Sequence, residues 1–107
     1  METKEWKIVH YLTADDHDPF DEWTERIEAK MFDKVTIRLK RVAQGNFGDH
    51  GPVGEGVSEL REHDGSAHRI YYGRDGDTVV LLTGGTKKTQ AKDIARAKFY
   101  WKDYNDA

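Results

Sequence analysis

The chain has no cysteine, and that one absence removes disulfides, cysteine-bound structural zinc, thiol nucleophiles and iron-sulfur ligation together. No apolar run approaches the roughly 20 residues of a membrane span. The opening segment, Met1 to Trp6, lacks the basic head and apolar stretch of a signal peptide. A cytoplasmic location of bacterial type, without membrane contact, is therefore expected. Basic residues are also in deficit, 17 Lys and Arg against 20 Asp and Glu, which argues against an indiscriminate nucleic-acid binder. The five histidines, His10, His17, His50, His63 and His68, fall at no metal-ligand spacing, and the glycine-rich stretch Gly45 to Gly56 lacks the lysine and flanking order of a nucleotide-binding loop. No metal and no cofactor are expected.

What is present is enough for one core. At 107 residues the chain is the size of a single domain, and three Trp, five Tyr and four Phe supply large burial per residue. The charge is unevenly spread. Residues 1 to 33 carry four Lys or Arg against ten Asp or Glu, whereas residues 84 to 102 carry Lys87, Lys88, Lys92, Arg96, Lys98 and Lys102 against Asp93 alone. The basic end is either an ordinary solvated helix face or a surface for a polyanion.

The β-favouring run Trp6 to Leu12 predicts a first strand ending near Thr13. Asp18-Pro19 predicts a helix start, with Asp18 as N-cap and Phe20, Trp23 and Ile27 as the buried stripe. A second helix places Val35, Leu39 and Val42 on one face and Lys34, Arg38 and Arg41 on another, with Gly45 ending it. Gly45 to Gly56 shows neither helical nor strand period and reads as a loop. Three short strands follow, near residues 57–62, 68–73 and 78–83, joined by the turns Asp64-Gly65-Ser66 and Asp75-Gly76-Asp77 and hence antiparallel. Val79 to Leu82 is apolar on both faces and should be the central strand, with Gly84-Gly85 ending it. Thr89 is placed to cap a last helix whose Ile94, Ala97 and Trp101 share a face. The fold class is α+β.

Strand alternation puts Glu59 and Arg61 on one face of their strand, and Arg69 beside Tyr71 on one face of the next. Taken alone, this predicts a cross-strand salt bridge worth at most about 1 kcal/mol. The alternative is a concave surface in which Glu59, Arg61 and Arg69 meet Lys87 and Lys88 and hold a phosphodiester.

The segments Gly45-Asn46-Phe47-Gly48-Asp49, Val53 to Arg61, His68-Arg69-Ile70-Tyr71-Tyr72, Leu81 to Gln90 and Asp93-Ile94, with Ala97 after them, resemble in sequence and order the RelE/ParE superfamily, and within it the HigB-like, phage-derived addiction module killer toxins. The resemblance implies a β-α-α-β-β-β-α fold with a small antiparallel-rich sheet. It also implies the toxin of a type II toxin-antitoxin pair, an endoribonuclease that cleaves messenger RNA on the ribosome without a metal. Such a toxin is neutralised by a small helix-turn-helix antitoxin, with which it binds operator DNA. Carried over, Arg69 matches the phosphate-binding arginine, with Arg61 second; Glu59 is a general base or a salt-bridge partner; Lys87 stabilises the transition state. Lys88 and Lys92 would bind RNA, Tyr71 or Tyr72 would stack on a base, and His68 would donate a proton or fill a tyrosine's space. Two other functions stay open: a ParE-like inhibitor of DNA gyrase, and a non-catalytic module for antitoxin and operator binding.

Overall fold

Short apolar stretches punctuated by glycine and aspartate set the boundaries of most elements in the computed structural model, which describes residues 4–106. The first three residues of the segment inspected for a signal peptide thus lie outside the described residues. Strand β1 (Lys7–His10) leads to helix α1 (Pro19–Arg26). The Asp18 carboxylate accepts the Asp21 N–H at 2.9 Å, Pro19 occupies the first turn, and Asp21 and Glu22 sit where the helix dipole favours negative charge. Ile27 is extended, with φ −90° and ψ 160°, so α1 ends there and α2 (Ala29–Ala43) starts afresh. Gly45, at φ 92°, donates to the Val42 carbonyl at 2.9 Å and closes α2 as the sequence predicts.

Strands β2 (His50–Gly54), β3 (Val57–Arg61), β4 (His68–Asp75) and β5 (Thr78–Thr86) follow, then a 3-10 turn (Lys87–Thr89) and α3 (Gln90–Asp106). The five strands form one mixed sheet in the order β1-β5-β4-β3-β2. β1 runs parallel to β5, and the other pairs are antiparallel. This is a compact α+β fold with α1 and α2 on one face of the sheet and α3 on the other. One core joins Phe20, Trp23, Val35 and Val42 to Leu60, Ile70, Tyr72, Val79 and Leu81; the second joins Val57, Tyr71, Val80 and Leu82 to Ala97, with Ile94 and Trp101 against it. Val79 to Leu82 is fully buried from both sides, as the sequence predicts, but the central strand is β4: β1 adds itself parallel to β5, so β5 lies one strand from the edge. No helix among the described residues is long and apolar enough to cross a membrane.

Two other sequence readings need correction. Residues 50–54, read as loop, form an edge strand paired with β3 through a two-residue turn in which Glu55 (φ 55°) and Gly56 (φ 84°) are both left-handed. His-Gly-Pro-Val-Gly buries little and leaves no hydrophobic alternation, and Pro52 is tolerated because an edge strand need not donate on its outer side. Gly84-Gly85, read as a terminator, instead continues β5 to Thr86. The Trp23 ring lies over Gly84 and the Asp93 carboxylate over Gly85, so a Cβ at either position would collide with its neighbour. Both helix layers can approach the strand because these residues lack side chains. Gly84→Ala should therefore cost about 1–3 kcal/mol by overpacking against Trp23, read as a lower urea midpoint with an unchanged denaturant slope.

Candidate functional site

Antiparallel register decides which side chains meet. Glu59 lies opposite Tyr71 and Arg61 opposite Arg69, and residues directly opposite point to the same side. All four therefore face the α3 layer. Toward the start of α3 its apolar core gives way to a charged cluster. The Glu59 carboxylate, buried with its residue 4% exposed, accepts Arg61 Nε at 2.8 Å and Gln90 Nε2 at 3.0 Å. Arg69 Nε is 3.8 Å from the same carboxylate. Arg69 Nη1 donates to the Glu62, Ala67 and His68 carbonyls at 3.3 Å each, whereas its buried Nε has no hydrogen-bond partner. The Tyr71 hydroxyl is likewise buried and unpartnered. Burial, then the nearby Glu59 and Asp93 charges, push that phenol well above its ordinary range, with Arg69 opposing. Asp93, in the first turn of α3, accepts the Thr89 hydroxyl at 2.5 Å.

Arg61 links this cluster to the surface. Its Nη1 donates to Asp49 Oδ1 at 3.0 Å, and Asp49 Oδ2 is 2.5 Å from His63 Nε2. The His63 bond first, then that of Arg61, holds the Asp49 carboxyl below the usual carboxylate range. Lys87 and Lys88 project from the exposed turn after β5. The Lys87 N–H donates to the Ala67 carbonyl at 3.1 Å, which pins that turn to the segment just before Arg69. A cleft of about 460 Å³ lies between them, lined by Ser66, Ala67, Thr86, Lys87 and Lys88. Lys92 is exposed on the first turns of α3.

The stacking expected of Tyr71 or Tyr72 does not form, and of the two roles open to His68 the structure shows the space-filling one. His68 falls on the opposite face of β4 from Arg69. Its ring packs near Trp23, 6.2 Å between centroids, and its Nδ1 is 2.7 Å from Asp64 Oδ2. It fills space and staples the β3–β4 turn. Tyr72 belongs to the α1–α2 core beside Phe47, and Tyr71 is covered by α3. Both tyrosines are fully buried, so neither offers a ring face on which a base could stack.

The Asp64 staple sets a pH dependence. Burial raises its carboxyl, but the His68 amide, ring and charge and the Ser66 amide together outweigh that and hold it at about 2. An unfolded aspartate titrates near 3.9, so the unfolded chain binds this proton more readily. The stabilisation, about 2–3 kcal/mol, is present above pH ~4 and lost as pH falls toward 2. Asp64→Asn should flatten this part of the acid limb, measured as urea midpoints between pH 2 and 5.

Reasoning from sequence missed Gln90, Asp49, Asp93 and Arg38 as site-building residues. Arg38, assigned to the polar face of α2, is 8% exposed. Its spacing was informative: Arg38 lies three residues after Val35 and four before Val42, inside the buried stripe. Nε and Nη2 donate to the Phe47 carbonyl, Nη2 to that of Asp49, and Nη1 to the Arg61 carbonyl and Glu62 Oε2. These five bonds match the five N–H groups of a guanidinium, so Arg38 fixes the loop that carries Asp49 and the end of the strand that carries Arg61.

No protein-family model matches the chain. A protein of Haemophilus influenzae, described as an uncharacterized protein, is 42% identical over 81 residues, which cover 74% of this chain and 82% of that protein. The chain belongs to that protein's family. An identity of this size over most of both chains carries the fold across the family.

Proposed function

We infer that the chain is an RNA-cleaving toxin of the RelE/ParE superfamily, nearest its HigB-like branch, and that Arg69, Arg61 and Glu59 form the reactive cluster with Lys87 and Lys88 at its rim. One observation carries this reading: two arginines from adjacent strands converge on a single buried carboxylate, and one keeps an unpartnered Nε. The order of elements supports it too, since removing the edge strand β2 leaves the superfamily's β-α-α-β-β-β-α arrangement.

The chemistry asked of such a site is a metal-free transesterification. The 2′-oxygen bonds to the adjacent phosphorus, the bond from phosphorus to the 5′-oxygen breaks, one proton leaves the 2′-hydroxyl and one reaches the departing oxygen. A planar guanidinium donates two parallel bonds to phosphate oxygens. Arg69 supplies that fork, Arg61 and Lys87 offset the added negative charge, and Glu59 sets the spacing of the guanidiniums and takes the proton. The partners that follow from this reading are the ribosome and its messenger RNA, a helix-turn-helix antitoxin, and operator DNA for the paired complex.

A second reading rests on the saturation of Glu59, which already engages Arg61 and Gln90. In that reading the cluster is structural and the chain is a non-catalytic antitoxin-binding or operator-binding module. Induction of the chain without an antitoxin separates them. The toxin reading requires growth arrest with new 5′ ends in a reporter messenger RNA mapped by primer extension; arrest with a DNA-damage response and intact messenger would indicate gyrase instead. Uninterrupted growth with folded protein present would favour the non-catalytic module.

A further inference from the structure

The acidic average of this protein conceals a contiguous cationic band away from α3. Three clefts adjoin around one end of the molecule. The first, beside α2, is lined by Lys34, Ile37, Arg41 and Arg61 among others. The second, at the corner between α1 and α2, shares Lys34 with it and adds Arg26 and Lys30. The third, between the β3–β4 turn and the Lys87-Lys88 turn, shares Ser66 and Thr86 with the second. Lys30, Lys34 and Arg41 recur at helical spacing along α2, so they form one stripe on its surface.

The charges in this band are not mutually cancelled. Arg26, Lys30, Lys34, Arg41, Lys87 and Lys88 are exposed and form no ion pair among the described residues. Three of the carboxylates that line the clefts are already engaged: Asp49 by Arg61 and His63, Glu62 by Arg38, and Asp64 by His68. Only Glu28 of the lining acids has no such partner. A row of unneutralised cations repels itself and destabilises the fold, and a bound polyanion removes that repulsion. The band is not purely electrostatic either. Ile37 is 51% exposed and the His63 side chain 74% exposed, which puts an apolar surface and an aromatic ring at the first cleft, where bases would pack.

We propose that this band is a binding track for single-stranded RNA, along which the strand runs from the Lys87-Lys88 turn across the α1–α2 corner to Arg41. It deepens the nuclease reading, on which it rests for the direction of the strand, by supplying a path that ends at the Lys87-Lys88 turn, which the Lys87 N–H ties to Ala67, two residues before Arg69. The occupant is RNA rather than an acidic polypeptide because the bases have Ile37 and His63 to contact, whereas a chain of carboxylates would gain nothing from either.

Counterion release makes the test quantitative. For single strands the logarithm of the binding constant falls with the logarithm of salt by about 0.7 per neutralised phosphate. Six contacts then predict a loss of about 300-fold in affinity for a labelled 12-nucleotide oligouridylate between 50 and 200 mM KCl, and four contacts a loss of about 50-fold. Fluorescence anisotropy on the whole chain should show the larger loss for the native protein and the smaller for K30Q/K34Q. A control pair on α3, K98Q/K102Q, should leave the slope unchanged. An unchanged slope in K30Q/K34Q, an equal change in the control pair, or equal affinity for poly-L-glutamate of matched charge would overturn the track. Messenger cleavage is scored separately: salt-dependent binding through Lys30 and Lys34 without cleavage leaves the track standing and removes the nuclease, while cleavage with an unchanged slope does the reverse.

Discussion

Arg69→Ala is expected to lower messenger-RNA cleavage by about 10²- to 10³-fold, the usual cost of one donor aimed at charge that develops in the transition state. The expectation is specific to this arginine. Its Nε is buried without a partner, and its Nη1 contacts with three carbonyls are all long, at 3.3 Å. The folded protein therefore loses little hydrogen bonding when the side chain goes, and Glu59 keeps Arg61 and Gln90. Arg69→Lys should recover only part of the activity, because an ammonium is a point charge without the planar fork. Cleavage of a reporter transcript in a reconstituted translation reaction measures both, with a thermal melt to check that the variants stay folded. Native cleavage rates in Arg69→Ala would remove the assignment.

Arg38→Met should be the most damaging single change to stability, about 3–5 kcal/mol, since it deletes one member of a buried ion pair and leaves the other behind. Arg38 and Glu62 have side chains only 9% and 20% exposed. The substitution would also orphan the Phe47 and Arg61 carbonyls, while the Asp49 carbonyl keeps only the Arg61 N–H. For a domain of this size the melting temperature should fall by on the order of 15 °C, seen by calorimetry. Arg38→Lys should rescue little, because three donors on one nitrogen cannot reach carbonyls on both sides of the loop. A loss below about 1 kcal/mol would mean that water replaces the guanidinium and that loop 47–49 is held by something else.

The parts of the molecule legible in the sequence are those with a local cause. Asp18-Pro19 and Gly45 mark helix ends through capping and left-handed backbone, and the doubly apolar Val79 to Leu82 marks a strand buried on both faces. Alternation also brought Glu59, Arg61 and Arg69 to one side. The misses share a different cause, since each depends on a neighbour distant in the chain. β2 exists because β3 offers it hydrogen bonds, and nothing within His50 to Gly54 calls for a strand. Gly84 and Gly85 look like a stop until Trp23 and Asp93 are seen to occupy the space above them. Tyr71 and Tyr72 read as free aromatic rings because the covers that bury them come from α3 and α2. His68 fills space, one of its two expected roles, but its partner Asp64 reads in the sequence only as part of a turn.

The parallel pairing of β1 with β5 has a consequence for biogenesis. Residue 7 pairs with residue 78, so β1 has no partner strand until β5 has been made. Loops of that length close slowly, and β1 must wait without a strand partner, held by contacts such as those of Trp6 with Ala43 and of His10 with Asp18. Nascent chains arrested short of Thr86 should remain protease-sensitive at β1, with protection arriving in one late step once β5 emerges.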